Sequence, residues 1–392
     1  MLTKEGSKIR QERFRAYLSN HHIGVAVISD YRNIHYLTGL LLPKNFPALM
    51  MLETGGGSWL ASTTDEGEAL VGERITYEWE QLYTMNPDPM RCLQVAVEAR
   101  LKNAQSVKHI GWQAESLPRS LGETVADALR PDGWIAIDDG LAEMQKRKDP
   151  DEIELMRRAI QASLAAYTAV QKVIAPGVNE LTVLATGKQA AIEAAGEPIE
   201  HEGDYRVGEL GGPARDNIIE KGQMYILDLQ SEYRGYWSDL CRTFVVGGEP
   251  TALQQSVYNH VAEVLADVPN LVKPGGRGTE LWRTIDERLR EHPHLADKGL
   301  IHHAGHCVGL HVHEMPDLNR DREGIFEVGN VFSCEPGAYS DELRGGVRLE
   351  NTYLITNSGV ENLSEYPTNL IPATYSQRTH TKRLTNAEDP VC

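Results

Sequence analysis

The chain has no run of 18 or more apolar residues, which excludes a membrane-spanning helix. Its first residues, Met1-Leu2-Thr3-Lys4-Glu5-Gly6-Ser7-Lys8, have no apolar h-region and do not read as a secretory signal. Basic residues are scarce beside acidic ones, 39 against 56, for a net charge of -17. Such a surface repels nucleic acid and anionic membranes, so neither is expected as a partner, and solubility is the plain use of the charge. The five cysteines, Cys92, Cys241, Cys307, Cys334 and Cys392, are odd in number and lack framework spacing. That excludes a disulfide scaffold and fits reduced thiols in the cytoplasm. No repeat of solenoid length is present. The glycine-rich stretch Lys273-Pro274-Gly275-Gly276-Arg277-Gly278 lacks the lysine-serine/threonine ending of a phosphate loop and reads as a loop before a helix.

What is there is a globular composition, 41% hydrophobic and 24% charged, over 392 residues, a length that suits two domains. The first third reads as α/β. Lys8 to Leu18 is expected as a helix, Gly24 to Ser29 as a buried strand, and Ala48–Glu53 with Ser58–Ala61 as a hairpin around Thr54-Gly55-Gly56-Gly57. A boundary falls near residue 149, where Asp149-Pro150-Asp151-Glu152 can open a helix with Asp149 as its cap and Glu152 reaching back. The domains are therefore 1–148 and 149–375, followed by a polar surface tail, 376–392. Further helices are expected at about 180–195, stopping at Gly196, and at 252–268 and 279–292. Strands are expected at 224–230, 236–246, 331–334 and 347–355.

The chemistry concentrates in the second domain. Five of the 14 histidines lie between His302 and His313. Imidazole binds metals and moves protons near neutral pH. Asp228 and Asp239 sit in apolar, strand-like runs, where isolated charge is costly. A hairpin with its tip between Tyr233 and Arg234 would set the two aspartates directly opposite each other, with Cβ atoms about 5 Å apart. Buried carboxylates that close need a proton or a cation between them. Glu335 and Glu350 repeat the pattern downstream. Oxygen-rich ligands with one or two imidazoles suit a hard divalent ion such as manganese, with zinc or cobalt also fitting. Four carboxylates exceed what one ion needs and suit two ions about 3.5–4 Å apart, an arrangement built for hydrolysis.

These residues resemble the pita-bread metallopeptidases, the family of methionine aminopeptidase, aminopeptidase P and prolidase. The resemblance rests on Leu227-Asp228-Leu229, Trp237-Ser238-Asp239-Leu240-Cys241-Arg242-Thr243, Gly305-His306, His313-Glu314-Met315-Pro316, Glu335-Pro336-Gly337 and Arg348-Leu349-Glu350. It extends to a creatinase-type N-terminal domain through Asn33-Ile34-His35-Tyr36-Leu37-Thr38-Gly39. The fold it implies is an α/β N-terminal domain followed by an α+β pita-bread catalytic domain. The activity it implies is hydrolysis of the bond before proline, in Xaa-Pro dipeptides or peptide N-termini, by way of a hydroxide bridging two metals. The metal ligands would be Asp228, Asp239, His306, Glu335 and Glu350, with Asp239 and Glu350 bridging. Glu335 would also carry the proton of the attacking water, and His313 would hydrogen-bond the substrate carbonyl and its oxyanion. His302 matches a substrate-pocket histidine. Arg348 would either anchor a substrate carboxylate or orient Glu350. His303 and His311 gain no role, and Cys307 and Cys334 read as small buried fillers. The resemblance also implies a homodimer acting on a small peptide or amide.

The family usually places one more active-site histidine some 17 or 18 residues before the first ligand aspartate. This chain has Glu209-Leu210-Gly211-Gly212-Pro213-Ala214 there, and His201 is too early. That departure leaves a second reading open, a hydrolase or lyase of a small amide or osmolyte on the same fold. A non-catalytic binding module is a third, set against the complete ligand set.

Overall fold

A computed structural model describes residues 1–63, 67–78 and 88–375; the tail expected at 376–392 lies outside them. Two compact units divide the chain. One is Met1–Gln145 with Asp149–Asp151, and the other is Lys146–Lys148 with Glu152 onward. Among the described residues no helix is long and apolar enough to cross a membrane.

The first unit carries a six-stranded sheet in the order Glu73–Thr76, Ser58–Ser62, Leu49–Glu53, Val25–Ile28, His109–Trp112, Gly133–Ala136. Val25–Ile28 is buried throughout and lies mid-sheet, as its unbroken apolar run requires. The expected hairpin forms, with Leu52 opposite Ser58. The helix expected from Lys8 starts earlier, at Lys4, because the Thr3 side chain caps the Gly6 amide. The motif at 33–39 is helical over Tyr31–Thr38. Asp30 caps its start, and Gly39, at φ 78°, supplies the left-handed turn that ends it.

The helix Pro150–Val170, which belongs to the second unit from Glu152 onward, begins at the expected proline. The flanking acids have long-range partners. Asp149 pairs with Arg10 and Arg13 within the first unit, and Glu152 accepts from the Tyr236 hydroxyl within the second. The helix Glu180–Ala195 ends at Gly196 in the left-handed conformation, as its sequence suggests. The long strand Met224–Tyr233 pairs antiparallel with Glu200–Asp204 on one side and Leu240–Val245 on the other. A five-stranded sheet runs Glu314–Asp317, His306–Cys307, Val331–Cys334, Asn351–Thr356, Gly359–Asn362, and Gly337–Ser340 pairs with Gly345–Arg348.

Two expectations need correction. The hairpin after Met224 turns through Arg234 and Gly235, at φ 49° and 90°, a two-residue loop whose positive φ values suit the twist of the strands. The pairing therefore slips by two residues, and Asp228 faces Cys241 instead of Asp239. A slip of two keeps every side chain on its face, so both aspartates still point the same way. The single strand expected over 347–355 breaks at Leu349-Glu350. Gly345–Arg348 and Asn351–Thr356 belong to different sheets, and Glu350 occupies the bend between them.

Candidate metal centre

The four carboxylates meet because Asp228, within the strand Met224–Tyr233, is joined by three acids that sit at breaks between strands, Asp239, Glu335 and Glu350. The Tyr167 hydroxyl reaches the carbonyls of both Leu227 and Leu240, at 2.7 and 2.6 Å, and so buttresses the strands on either side of the aspartates. Gly203, at φ 139°, lies so close to the Asp228 carbonyl that a Cβ would stand 1.9 Å from it. Gly305, at φ 145°, does the same one residue before His306, where a Cβ would stand 2.0 Å from the Ser333 carbonyl. Each glycine lets backbone pass against a strand that leads to a site residue. Buried Arg242 fixes the Glu350 bend. Its guanidinium donates to the Glu350 carbonyl, to Cys241 O at 2.8 Å and to Asn351 Oδ1 at 2.9 Å, while the Glu350 amide donates to Cys241 O at 3.0 Å.

Donor atoms of Asp228, Asp239 and Glu350 lie within 4.8 Å of one another, as do those of His306, Glu335 and Glu350, and those of Asp239, His306 and His313. Glu350, Asp239 and His306 are each shared between two of these groupings, and of the three only the carboxylates have two oxygens with which to bridge. The His306 ring is oriented by its Nδ1, which meets Cys307 O at 3.0 Å. That leaves Nε2 facing the acids, 3.5 Å from Asp239 Oδ2 and 3.7 Å from Glu335 Oε1. The His313 ring stacks on His306 with centroids 3.6 Å apart.

Burial pushes the carboxylates up, and their neighbours push further. Glu335 rises to about 8 through burial and then the Asp228 charge. Asp239 and Glu350 rise well above their ordinary values for the same two reasons, burial and neighbouring acids. His306 falls to about 3 through burial and the adjacent His313, which leaves a neutral imidazole able to act as a ligand. Both Glu350 oxygens and Asp228 Oδ1 are buried without a hydrogen-bond partner. Acids crowded, desolvated and left short of donors are what a divalent cation satisfies, so the donor set fits such ions.

A cavity of about 470 Å³ opens onto this cluster, lined by Asp228, Asp239, His306, Glu335 and Arg348 and, beyond them, by Glu202, Asp204, Pro213, Gln230, His303 and His313. Arg348 does not reach for Glu350. Its Nη2 donates to Asp228 Oδ2 at 2.8 Å and to Asp204, and its Nη1 donates to Leu210 O at 3.0 Å. His302 is engaged at both nitrogens, Nδ1 to His303 O at 2.6 Å and Nε2 to the Tyr339 hydroxyl at 2.9 Å. His303, given no role by its sequence, lines the cavity with Nδ1 3.4 Å from Glu335 Oε1. His311 is exposed. His201 bonds Ser231 and Tyr205, so it fills a structural position. Cys241, Cys307 and Cys334 are buried. Asp204 was missed as well. It lies two residues from Glu202 on a short strand with little apolar pattern, and only its pairing with Arg348 reveals its place.

Comparison with known proteins covers both units. The creatinase/prolidase N-terminal domain matches residues 10–144, and metallopeptidase family M24 matches residues 154–357. A Xaa-Pro dipeptidase of Pyrococcus furiosus is 28% identical over 363 residues, covering 91% of this chain and 98% of its own length. The fold is shared with the prolidase from Pyrococcus horikoshii OT3, at TM-score 0.74 and 24% identity over 92% of this chain and 99% of that one. It is shared equally with an X-Pro aminopeptidase from Thermotoga maritima, at TM-score 0.73 and 23% identity over the same shares. The chain belongs to metallopeptidase family M24, with a creatinase-type N-terminal domain ahead of a pita-bread catalytic domain.

Proposed function

We propose that this enzyme hydrolyses the bond before proline, in Xaa-Pro dipeptides or at Xaa-Pro peptide N-termini. Asp228, Asp239, His306, Glu335 and Glu350 would hold two divalent ions, with Asp239 and Glu350 shared between them. The observation that carries this reading is the convergence of four buried carboxylates on one neutral imidazole, with both Glu350 oxygens lacking a donor. Relatives named Xaa-Pro dipeptidase that align over nine-tenths of the chain support the substrate class. Bound ions would supply Lewis acidity and lower the pKa of water. Glu335 takes the proton of the attacking water on its carboxylate and passes it to the departing nitrogen. His313, stacked on His306 at the cavity wall, donates a ring N–H to the substrate carbonyl oxygen as charge develops there. Arg348 orients Asp228 through the bond it already makes, and His302 braces the wall through Tyr339. Manganese is the proposed ion, with zinc or cobalt compatible with the same donors. Free buried thiols support a cytoplasmic location, and we propose a homodimer, which sedimentation would test.

A screen of Xaa-Pro dipeptides, longer Xaa-Pro peptides and small amides with added manganese tests the substrate class. Cleavage of Xaa-Pro bonds alone is expected. The second reading rests on the cavity corner where no upstream histidine stands and where Asp204 and Pro213 form the wall. Turnover of small amides without any Xaa-Pro cleavage would establish it instead.

A further inference from the structure

Lys148 and Glu314 form a charged pair that the hydrolytic chemistry does not use. Their side chains are 1% and 10% exposed, and Nζ stands 2.6 Å from Oε2. Two charges taken out of water persist together only when well bonded, and loss of one strands the other. The second oxygen of Glu314, Oε1, accepts from the His311 amide at 3.1 Å. Glu314 is also the residue paired with Cys307, so it closes the loop that leaves the sheet after Cys307 and returns after His313.

The same loop is fastened at two more points. Gly309 lies against the pair, where a Cβ would come within 2.7 Å of both Glu314 oxygens and 2.8 Å of Lys148 Cε. Its carbonyl accepts from the Trp237 amide at 2.8 Å, two residues before Asp239. Lys148 is itself held, since its amide donates to Gly329 O at 2.9 Å and Asn330 Nδ2 donates to Lys146 O at 3.0 Å. At the free side of the loop the His313 ring lies over His306, tilted by 17°.

We propose that the buried Lys148–Glu314 pair positions His313 over His306 by bracing the loop between them. The inference rests on the reading of His313 as the group that meets the substrate carbonyl. Lys148 and Glu314 act through that loop and are positioning residues.

The test combines histidine-ring NMR on the zinc-loaded protein with kcat and KM for a Xaa-Pro dipeptide. In Glu314→Gln the metal content should be unchanged, the His313 ring signals should shift as the stack loosens, and those of buried His201 should stay. We expect kcat to fall about tenfold or more while KM moves less than about threefold. In a His313→Ala background Glu314→Gln should cost almost nothing further, because both act on the same step. Unmoved His313 signals in Glu314→Gln, or losses that multiply in the double variant, would overturn the proposal. Should the single variant fold poorly, Lys148→Met with Glu314→Leu removes both charges at similar volume. His313 should still be displaced there, because the His311 amide has lost its acceptor; wild-type His313 signals and kcat would overturn the proposal equally. A wild-type chain that cleaves no Xaa-Pro bond would sink the functional reading, while the NMR arm would still decide this one.

Discussion

Chelating the metal and raising the pH should weaken the fold, and the window can be worked out. Glu335 has its carboxyl raised from 4.5 to about 8, by burial first and by Asp228 second. Between those values the folded chain holds a proton that the unfolded chain has released, so stability falls as pH rises. Asp239 and Glu350 shift in the same direction. The buried histidines oppose this at lower pH. His306 is lowered to about 3, and His201 and His302 to about 4, so each favours the fold increasingly as pH rises towards 6.5. At pH 6.5 the unfolded imidazoles are still half protonated; each adds about 0.4 kcal/mol more as it finishes deprotonating by about pH 7.5, and above that only the carboxylates titrate. From pH 6.5 to 8 the chelated protein should lose about 2 kcal/mol through Glu335 and more through Asp239 and Glu350, against about 1 kcal/mol regained by the three histidines. That is a large share of a usual stability of about 5–15 kcal/mol. The metal-loaded protein should slope the other way, because metal binding requires the carboxylates deprotonated. Urea midpoints at pH 6.5, 7, 7.5 and 8, with chelator and with manganese, measure both slopes. A chelated midpoint that stays flat or rises across this range would refute the reasoning.

Other perturbations follow from single contacts. Arg348→Met leaves Asp228 and Asp204 without their guanidinium and should cost on the order of 3 kcal/mol in urea denaturation of the chelated protein. If Arg348 serves these two aspartates and not the substrate, this variant loses equally on Xaa-Pro acids and Xaa-Pro amides; a selective loss on the free acid would return it to anchoring the substrate. Gly305→Ala drives a Cβ into the Ser333 carbonyl at a positive φ and should destabilise by on the order of 3 kcal/mol, read as a lowered Tm together with weakened metal binding. Among the described cysteines, Cys92 should be modified by a thiol reagent in the native protein, whereas Cys241, Cys307 and Cys334 should be modified only on unfolding, because burial raises all three thiols. Peptide mass mapping distinguishes the two cases.

The sequence makes the elements with strong local signals legible. Pro150 opens a helix, Gly196 closes another, and the glycine turn after Glu53 makes the expected hairpin. Asp228, Asp239, His306, Glu335 and Glu350 stand out because charge interrupts apolar runs, and the structure brings these five side chains together. Where turn chemistry decided the outcome, counting residues misled. Arg234-Gly235 takes the two positive φ positions, so the register moved by two, and only the period of the strand kept Asp239 on the right face. The break at Leu349-Glu350 is tertiary in origin, since Arg242 binds the Glu350 carbonyl from another strand. The contacts of Arg348 with Asp204 and of His303 with Glu335 were equally hidden, because the partners are distant in sequence and nothing local points to them.

Counting metal is the most direct test of the whole scheme. Purified wild-type protein and Asp239→Ala would be compared for bound divalent ions per chain and for Xaa-Pro turnover. Because Asp239 belongs to two of the donor groupings, the expected result is two ions in the wild type and the loss of both, together with turnover, in the variant. A wild-type chain that is active with no metal, or a variant that keeps full metal and full turnover, would contradict it.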